Sequence, residues 1–316
     1  MRLLYLLEGI RSPFLDDLMQ LVTHLGGEFV FMAAAIVIFW CVSKRCGYFM
    51  IAVGFAGTLI NQFLKLLFAV PRPWIRDPLF TIVESARADA TGYSFPSGHT
   101  QNAFAALGAP AMFAKRKAVR HALFFGIAAT AFSRMYLGVH TLIDVGVSAL
   151  LGAVLLFALF PVFRDMSAGP GMITAIFAVF TLASAGFLLF AAKMVSGDPQ
   201  EIGLGVKNGW MMLFVGAAMI IVWYSDRNYL KFPVSAPIWA QIVKVCVGFG
   251  IILMIRSGLK QPLRELFGGS GVSDGVRYFL MMLFAGLIWP MTFRWFSRLP
   301  GAGKKAGGTS GGRRRG

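Results

Sequence analysis

Apolar residues run along this chain in long blocks separated by short polar segments, and most blocks reach the roughly 17–25 residues that a helix needs to cross a bilayer. They fall at about 28–43, 48–69, 98–114, 121–139, 141–163, 172–192, 209–225, 237–255 and 278–297. This pattern predicts an all-α fold, a polytopic bundle of membrane helices. The first residues differ. Leu3, Leu6, Leu7, Ile10, Phe14 and Leu18 recur at roughly helical spacing, while Glu8, Asp16 and Asp17 interrupt the run and Pro13 breaks it. Residues 1–27 therefore read as an amphipathic helix lying in the interface, and no small-residue cleavage site follows to mark a removed signal. At the other end, 300–316 is Gly-rich and basic without apolar periodicity, which predicts a disordered basic tail.

Composition agrees with a bilayer protein: of 316 residues, 57% are hydrophobic and 14% charged, against roughly a quarter charged in soluble domains. A net charge of +16 would suggest nucleic acid in a soluble chain, but here Lys and Arg sit mostly in short loops and the tail, so no nucleic-acid partner is expected. If the spans alternate, Lys44 and Arg45, Lys115 to Lys117 with Arg120, Arg164, Arg227 and Lys231, and the tail all fall on one side. The positive-inside rule makes that side cytoplasmic. Loops 70–97, 138–141, 193–208 and 256–277 then face outward, with Arg256, Lys260 and Arg264 breaking the rule. Cys41, Cys46 and Cys246 are too few and too scattered for a metal site or a disulfide framework.

Several polar residues stand where a membrane protein can least accommodate them. Outward loop 70–97 is long and rich in Pro, Arg and acidic residues, and long structured loops are commonly functional. Lys65 sits near the end of the span before it, and Ser97-Gly98-His99 opens the next. Arg134, His140 and Asp144 bracket the following outward turn. Each has a plain structural reading alone: Lys65 and Arg134 as snorkelling anchors, His140 and Asp144 as a helix-face pair, Ser97 as a helix cap. Their joint occurrence at one end of the bundle argues against all of these, because ionisable groups in spans default to functional sites.

Lys65, Arg72 and Arg134 are three cations without a matching acidic cluster, and such a site suits a multiply charged anion, with Arg forking onto phosphate oxygens. A helix starting at Ser97-Gly98 adds backbone N–H groups, and Gly98 allows close approach to the main chain. Two histidines complete the chemistry: a neutral imidazole can attack phosphorus while a protonated one gives its proton to the departing oxygen. Asp144, one turn beyond His140, is placed to fix its tautomer. No metal is needed, since Asp144 is the one carboxylate near the histidines in these motifs and a divalent ion wants several; no cofactor is expected either.

These residues fall into three motifs: Lys65, six residues, then Arg72-Pro73; Pro96-Ser97-Gly98-His99; and Ser133-Arg134, five residues, His140, three residues, Asp144. Together and in this order they resemble the type 2 phosphatidic acid phosphatases, a superfamily that also holds glucose-6-phosphatase, bacterial acid phosphatases and vanadium haloperoxidases. The resemblance implies that Lys65, Arg72, Ser97, Gly98 and Arg134 bind the phosphoryl group. It also implies that His99 is the general acid, that His140 becomes a phosphohistidine, and that Asp144 supports His140. It covers roughly 28–163, so the expected organisation is a phosphatase core at 28–166, four further membrane helices within 167–299 of unassigned role, and the tail. The expected function is metal-independent hydrolysis of a lipid phosphate or lipid pyrophosphate held in the cell membrane, at a site facing away from the cytoplasm. A prenyl pyrophosphate leads, with phosphatidate, phosphatidylglycerol phosphate and sphingoid phosphates behind it. Two alternatives are a transferase, in which a second lipid or sugar replaces water, and a non-catalytic lipid transporter or scaffold.

Overall fold

The computed structural model describes residues 1–166 and 169–300, and no strand occurs among them. The chain opens with α1 (Arg2–Glu8) and α2 (Pro13–Thr23), the latter started by Pro13 and capped by Ser12, whose side chain accepts from Leu15 N. After the Gly26-Gly27 bend come α3 (Glu28–Val37), which runs on through a π turn at Ile38–Val42, and α4 (Lys44–Phe68), capped by Ser43. A single turn, α5 (Pro73–Arg76), lies in the long loop. Then follow α6 (Gly98–Ala103), a π turn at Phe104–Gly108, α7 (Ala109–Phe113), α8 (Lys117–Tyr136) and α9 (Leu142–Arg164). The second half holds α10 (Gly169–Lys193), α11 (Pro199–Ser225), α12 (Ile238–Gly258), α13 (Lys260–Leu266), α14 (Gly271–Leu283) and the short α15 (Phe293–Phe296).

Six helical segments among the described residues are long and apolar enough to cross a membrane: Lys44–Arg76, Leu142–Arg164, Gly171–Lys193, Pro199–Leu230, Ile238–Gly258 and Gly271–Phe296. The protein is thus a multi-pass helical membrane protein. Pro13–Gly26 and Glu28–Val42 form a bent pair at 49° that makes a seventh if it is one span. Two expected spans fall short of the same measure. The helical run through α6, the π turn and α7 is 6, 5 and 5 residues, 16 in all and short for a span, and α8 carries Lys117, Arg120 and Arg134 in its 20 residues, which lowers its apolarity. The N-terminal stretch is two helices, α1 and α2, divided at the break expected near Pro13, which opens the second. The expected tail lies, but for Pro300, outside the described residues.

Helix α4 is the axis of the bundle, flanked by α6, α7 and α9 of the first half and by α10 and α11 of the second. Lipid tails are as apolar as leucine, so helices associate through close packing, which small residues permit. A Cβ added at Gly57 would stand 2.5 Å from Gln101 Nε2, and one at Gly209 would stand 3.0 Å from Leu188 Cα. Trp40, Tyr48, Phe49, Phe163, Phe177, Phe232 and Phe293 fill the interior.

Basic loops from both halves of the chain meet at one end of the bundle. There Lys44 Nζ meets Asp226 Oδ1 at 2.6 Å, Tyr48 donates to Asp226 Oδ2 at 3.1 Å, and Arg45 donates to the Arg164 carbonyl at 3.2 Å. Three of the basic loops therefore converge there. At the opposite end Arg256, an exception to the charge rule, lies 4.0 Å from Glu28, which offsets it.

Candidate active site

The site is assembled at the end of α4 remote from Lys44. Asn61, Gln62 and Lys65 are three and four apart and share a helix face. Helix α4 stops at Ala69, whose φ of 46° is left-handed, and the chain leaves through Pro71 and Pro73. Arg72 is then buried, 4% exposed, and folds the long loop back on itself. Its Nε donates to the Gly92 carbonyl at 2.9 Å, Nη2 to that of Thr91 at 2.7 Å and Nη1 to that of Val139 at 2.9 Å. Lys65 Nζ donates to the Tyr93 carbonyl. Three consecutive carbonyls of the loop are thus held by the two cations, leaving one Nη2 hydrogen of Arg72 for a ligand.

The turn between α8 and α9 delivers His140. Gly138 has φ 81°, a value that favours glycine, and the amides of Val139 and His140 both donate to the Arg134 carbonyl. Thr141 caps α9 reciprocally with Asp144, whose Oδ2 accepts from Thr141 N at 2.7 Å and from Ser94 Oγ at 2.6 Å. This fixes the His140 ring: Nδ1 lies 3.7 Å from Asp144 Oδ2, and Nε2 lies 3.1 Å from Arg72 Nη1. Arginine has no acceptor, so Nε2 accepts and the ring hydrogen of the neutral form sits on Nδ1, facing Asp144. At 3.7 Å the carboxylate contact is electrostatic rather than a formed hydrogen bond. Burial, reinforced by the Arg72 charge, holds His140 well below the usual histidine range, which keeps it neutral.

Lys65, Arg72, Gly98, His99 and His140 line one cavity of about 240 Å³. The other three expected residues stand behind its wall. Ser97 is fully buried as the cap of α6, accepting from Thr100 N, while its own amide donates to the Asp144 carbonyl. Asp144 supports the turn from below. Arg134 is also fully buried: Nη1 donates to Thr23 Oγ1 at 2.9 Å, and Nε and Nη2 have no partner among the described residues. Unpartnered buried donors are costly, and phosphate oxygens are acceptors of the right kind for them.

Sequence reasoning missed much of the rest of the lining, notably Asn61 and Gln62 from α4, Asp89 from the long loop, and Glu201 and Asn208 from α11. The first pair carried a signal, two amides one turn before Lys65 in an apolar span. Asn208 Nδ2 donates to Gln62 Oε1 at 3.0 Å, tying the second half of the chain to the cavity rim. Glu201 carried none, being a carboxylate in the first turn of a helix. It reaches over the loop, so that a Cβ added at Gly92 would lie 3.1 Å from its Oε2. Among the described residues no three His, Cys, Asp or Glu side chains gather to hold a metal ion.

Comparison with known proteins bears on the whole arrangement. Residues 44–167 match the model of the PAP2 superfamily, and residues 209–303 match that of a PAP2 superfamily phosphatase transmembrane extension. Undecaprenyl-diphosphatase BcrC of Bacillus subtilis (strain 168) is 32% identical over 161 residues, 49% of this chain and 78% of that protein. The chain belongs to the PAP2 superfamily. It is a membrane phosphatase, a hydrolase of phosphoric esters, with a helical extension. Phosphatidylglycerophosphatase B of the same organism is 31% identical over 161 residues, covering 47% of this chain and 75% of that one. Dihydrosphingosine 1-phosphate phosphatase C823.11 of Schizosaccharomyces pombe (strain 972 / ATCC 24843) is 29% identical over 169 residues, 49% of this chain and 40% of its own. No solved structure gives a significant match. Glu201 and Asn208 fall outside both matched segments, so these two lining residues belong to the stretch that joins core to extension.

Proposed function

We propose that the protein hydrolyses a lipid phosphate or lipid pyrophosphate at the outer membrane face through a phosphohistidine on His140. The observation that carries this is the His140 Nε2 lone pair directed at Arg72 across the cavity that Lys65, Gly98 and His99 also line. A phosphoryl group entering there replaces that contact and meets Lys65 and Arg72, with the charge of Arg134 acting from behind the wall. His140 Nε2 then forms the N–P bond as the bond from phosphorus to the leaving oxygen breaks, and His99 gives that oxygen its proton. Asp144 stabilises the positive ring. Water next attacks phosphorus, the N–P bond breaks, and His99 takes back a proton. The cations stabilise charge on the transferring group, the main source of catalysis in phosphoryl transfer.

The relatives act on an undecaprenyl diphosphate, a phosphatidylglycerophosphate and a dihydrosphingosine phosphate by their names. These share a phosphate on an apolar tail, which supports that class for this chain. The test is phosphate release by the purified protein over a panel of such lipids, with product analysis for a phosphorylated acceptor in place of free phosphate. Because the cradle is built from Lys65, Arg72 and Arg134, excess EDTA is expected to leave the rate unchanged and vanadate to abolish it. Loss of activity on chelation, restored by Mg²⁺, contradicts this reading.

Orientation has its own check. A cysteine placed in loop 70–97 is expected to react with an impermeant thiol reagent in intact cells, and one beside Lys117 is not. The opposite labelling moves the chemistry to the cytoplasm.

A further inference from the structure

A second cavity, about 430 Å³, opens directly beneath the phosphate site, between α3 and α4 of the core and α11 and α14 of the extension. The two cavities are continuous in their walls, since Asn61, Gln62, Gly98 and Asn208 line both. Beyond that polar collar the lining turns apolar and adaptable: Met32 and Phe55 from the core, Met211, Met212, Met281 and Met282 from the extension. Methionine is flexible and polarisable and is favoured where a surface must fit chains of varying shape. Along α4 the apolar stretch extends from Asn61 down to Ile51, ten residues or about 15 Å of helix. That is about half of the roughly 30 Å hydrocarbon core of a bilayer, the depth of one leaflet.

We infer that this cavity takes the hydrocarbon chain of the lipid whose phosphate occupies the cradle, and that the extension serves to build it. The inference rests on the proposed lipid phosphatase activity and deepens it, by making the protein recognise an apolar chain as well as a phosphate. The amide collar, with Asn208 bonded to Gln62, lies where the polar link between headgroup and chain passes. A core alone would leave the chain against bulk lipid; here α11 and α14 enclose it, so chain length and shape become part of specificity.

The test uses the full chain in nanodiscs and a long-chain alkyl phosphonate with a diazirine at the chain terminus. The phosphonate is not hydrolysed, so labelling reports binding whether or not lipid turnover occurs. Labelled peptides are expected from α11 and α14, around Met211 and Met281, and vanadate is expected to suppress them at least tenfold. Label confined to outward faces such as Leu182 or Ile242, or label indifferent to vanadate, overturns the inference. A second measurement compares hexadecyl phosphate with butyl phosphate. Met211→Trp should lower the long-to-short ratio of kcat/KM at least tenfold, and an unchanged ratio overturns the inference too. If the lipid panel releases no phosphate while α11 and α14 are labelled in a vanadate-sensitive way, the hydrolysis reading fails and the chain-binding site stands.

Discussion

His140→Ala is expected to abolish phosphate release from every substrate, by on the order of 10⁴-fold or more. The reason is geometric. Among the described residues no other ring nitrogen is held against Arg72, where His140 Nε2 sits at 3.1 Å, so on the proposed mechanism the variant has a cradle without a nucleophile. Acid quenching after brief exposure to a labelled substrate should trap phosphoprotein in the native chain and none in the variant, while an unchanged thermal unfolding temperature verifies that the buried turn still folds. Retained phosphoprotein in His140→Ala would falsify the assignment. The native pH profile gives an independent reading. An imidazole whose affinity for protons is lowered by burial and by Arg72 stays neutral to lower pH than a free one, near 6.5. Activity that depends on the neutral ring is therefore retained as pH falls past that value, and the acid limb of kcat/KM should lie below it; a limb above it contradicts the buried, neutral nucleophile.

The chain's helices and most of its cradle could be read in the sequence because both depend on local chemistry. Long apolar blocks such as 141–163 and 237–255, each with a single charged residue, Asp144 and Lys244, leave helix as the way to satisfy the backbone in lipid, and α9 and α12 follow them closely. The residues Lys65, Arg72, His99 and His140 stood out because cations and imidazoles are out of place at span ends. What could not be read was pairing at a distance. Nothing in the spacing says that Arg72 is held by three carbonyls, or that Arg134 turns toward Thr23 and keeps two donors free. The 121–139 stretch does form a helix, α8, but Lys117, Arg120 and Arg134 leave it less apolar than the six clear spans. Glu201 was hidden most completely, for a carboxylate in the first turn of a helix is ordinary, and only the packing of α11 on α4 brings it over the cavity.

His99→Ala is expected to slow hydrolysis of alkyl and prenyl phosphates by about 10²–10⁴, the usual contribution of a general acid, and to leave a nitrophenyl ester much less affected. His99 lines the same cavity as His140 but opens α6, whereas His140 stands in the turn before α9. On the proposed mechanism the two rings meet the phosphoryl group from different elements, one to attack and one to serve the leaving oxygen. An alkoxide leaves poorly unless it is protonated, while a nitrophenolate leaves without help, so the loss should track the basicity of the leaving group. The charges of Arg134, Arg72 and Lys65 bear on His99, and on the proposed mechanism a bound phosphate dianion supplies the counter-charge for the proton that the ring donates. Phosphoprotein should still form from the nitrophenyl ester in His99→Ala, and its trapping separates this variant from His140→Ala, where none forms. If the ester rescued His140→Ala and left His99→Ala inactive, the roles of the two histidines would have to be exchanged.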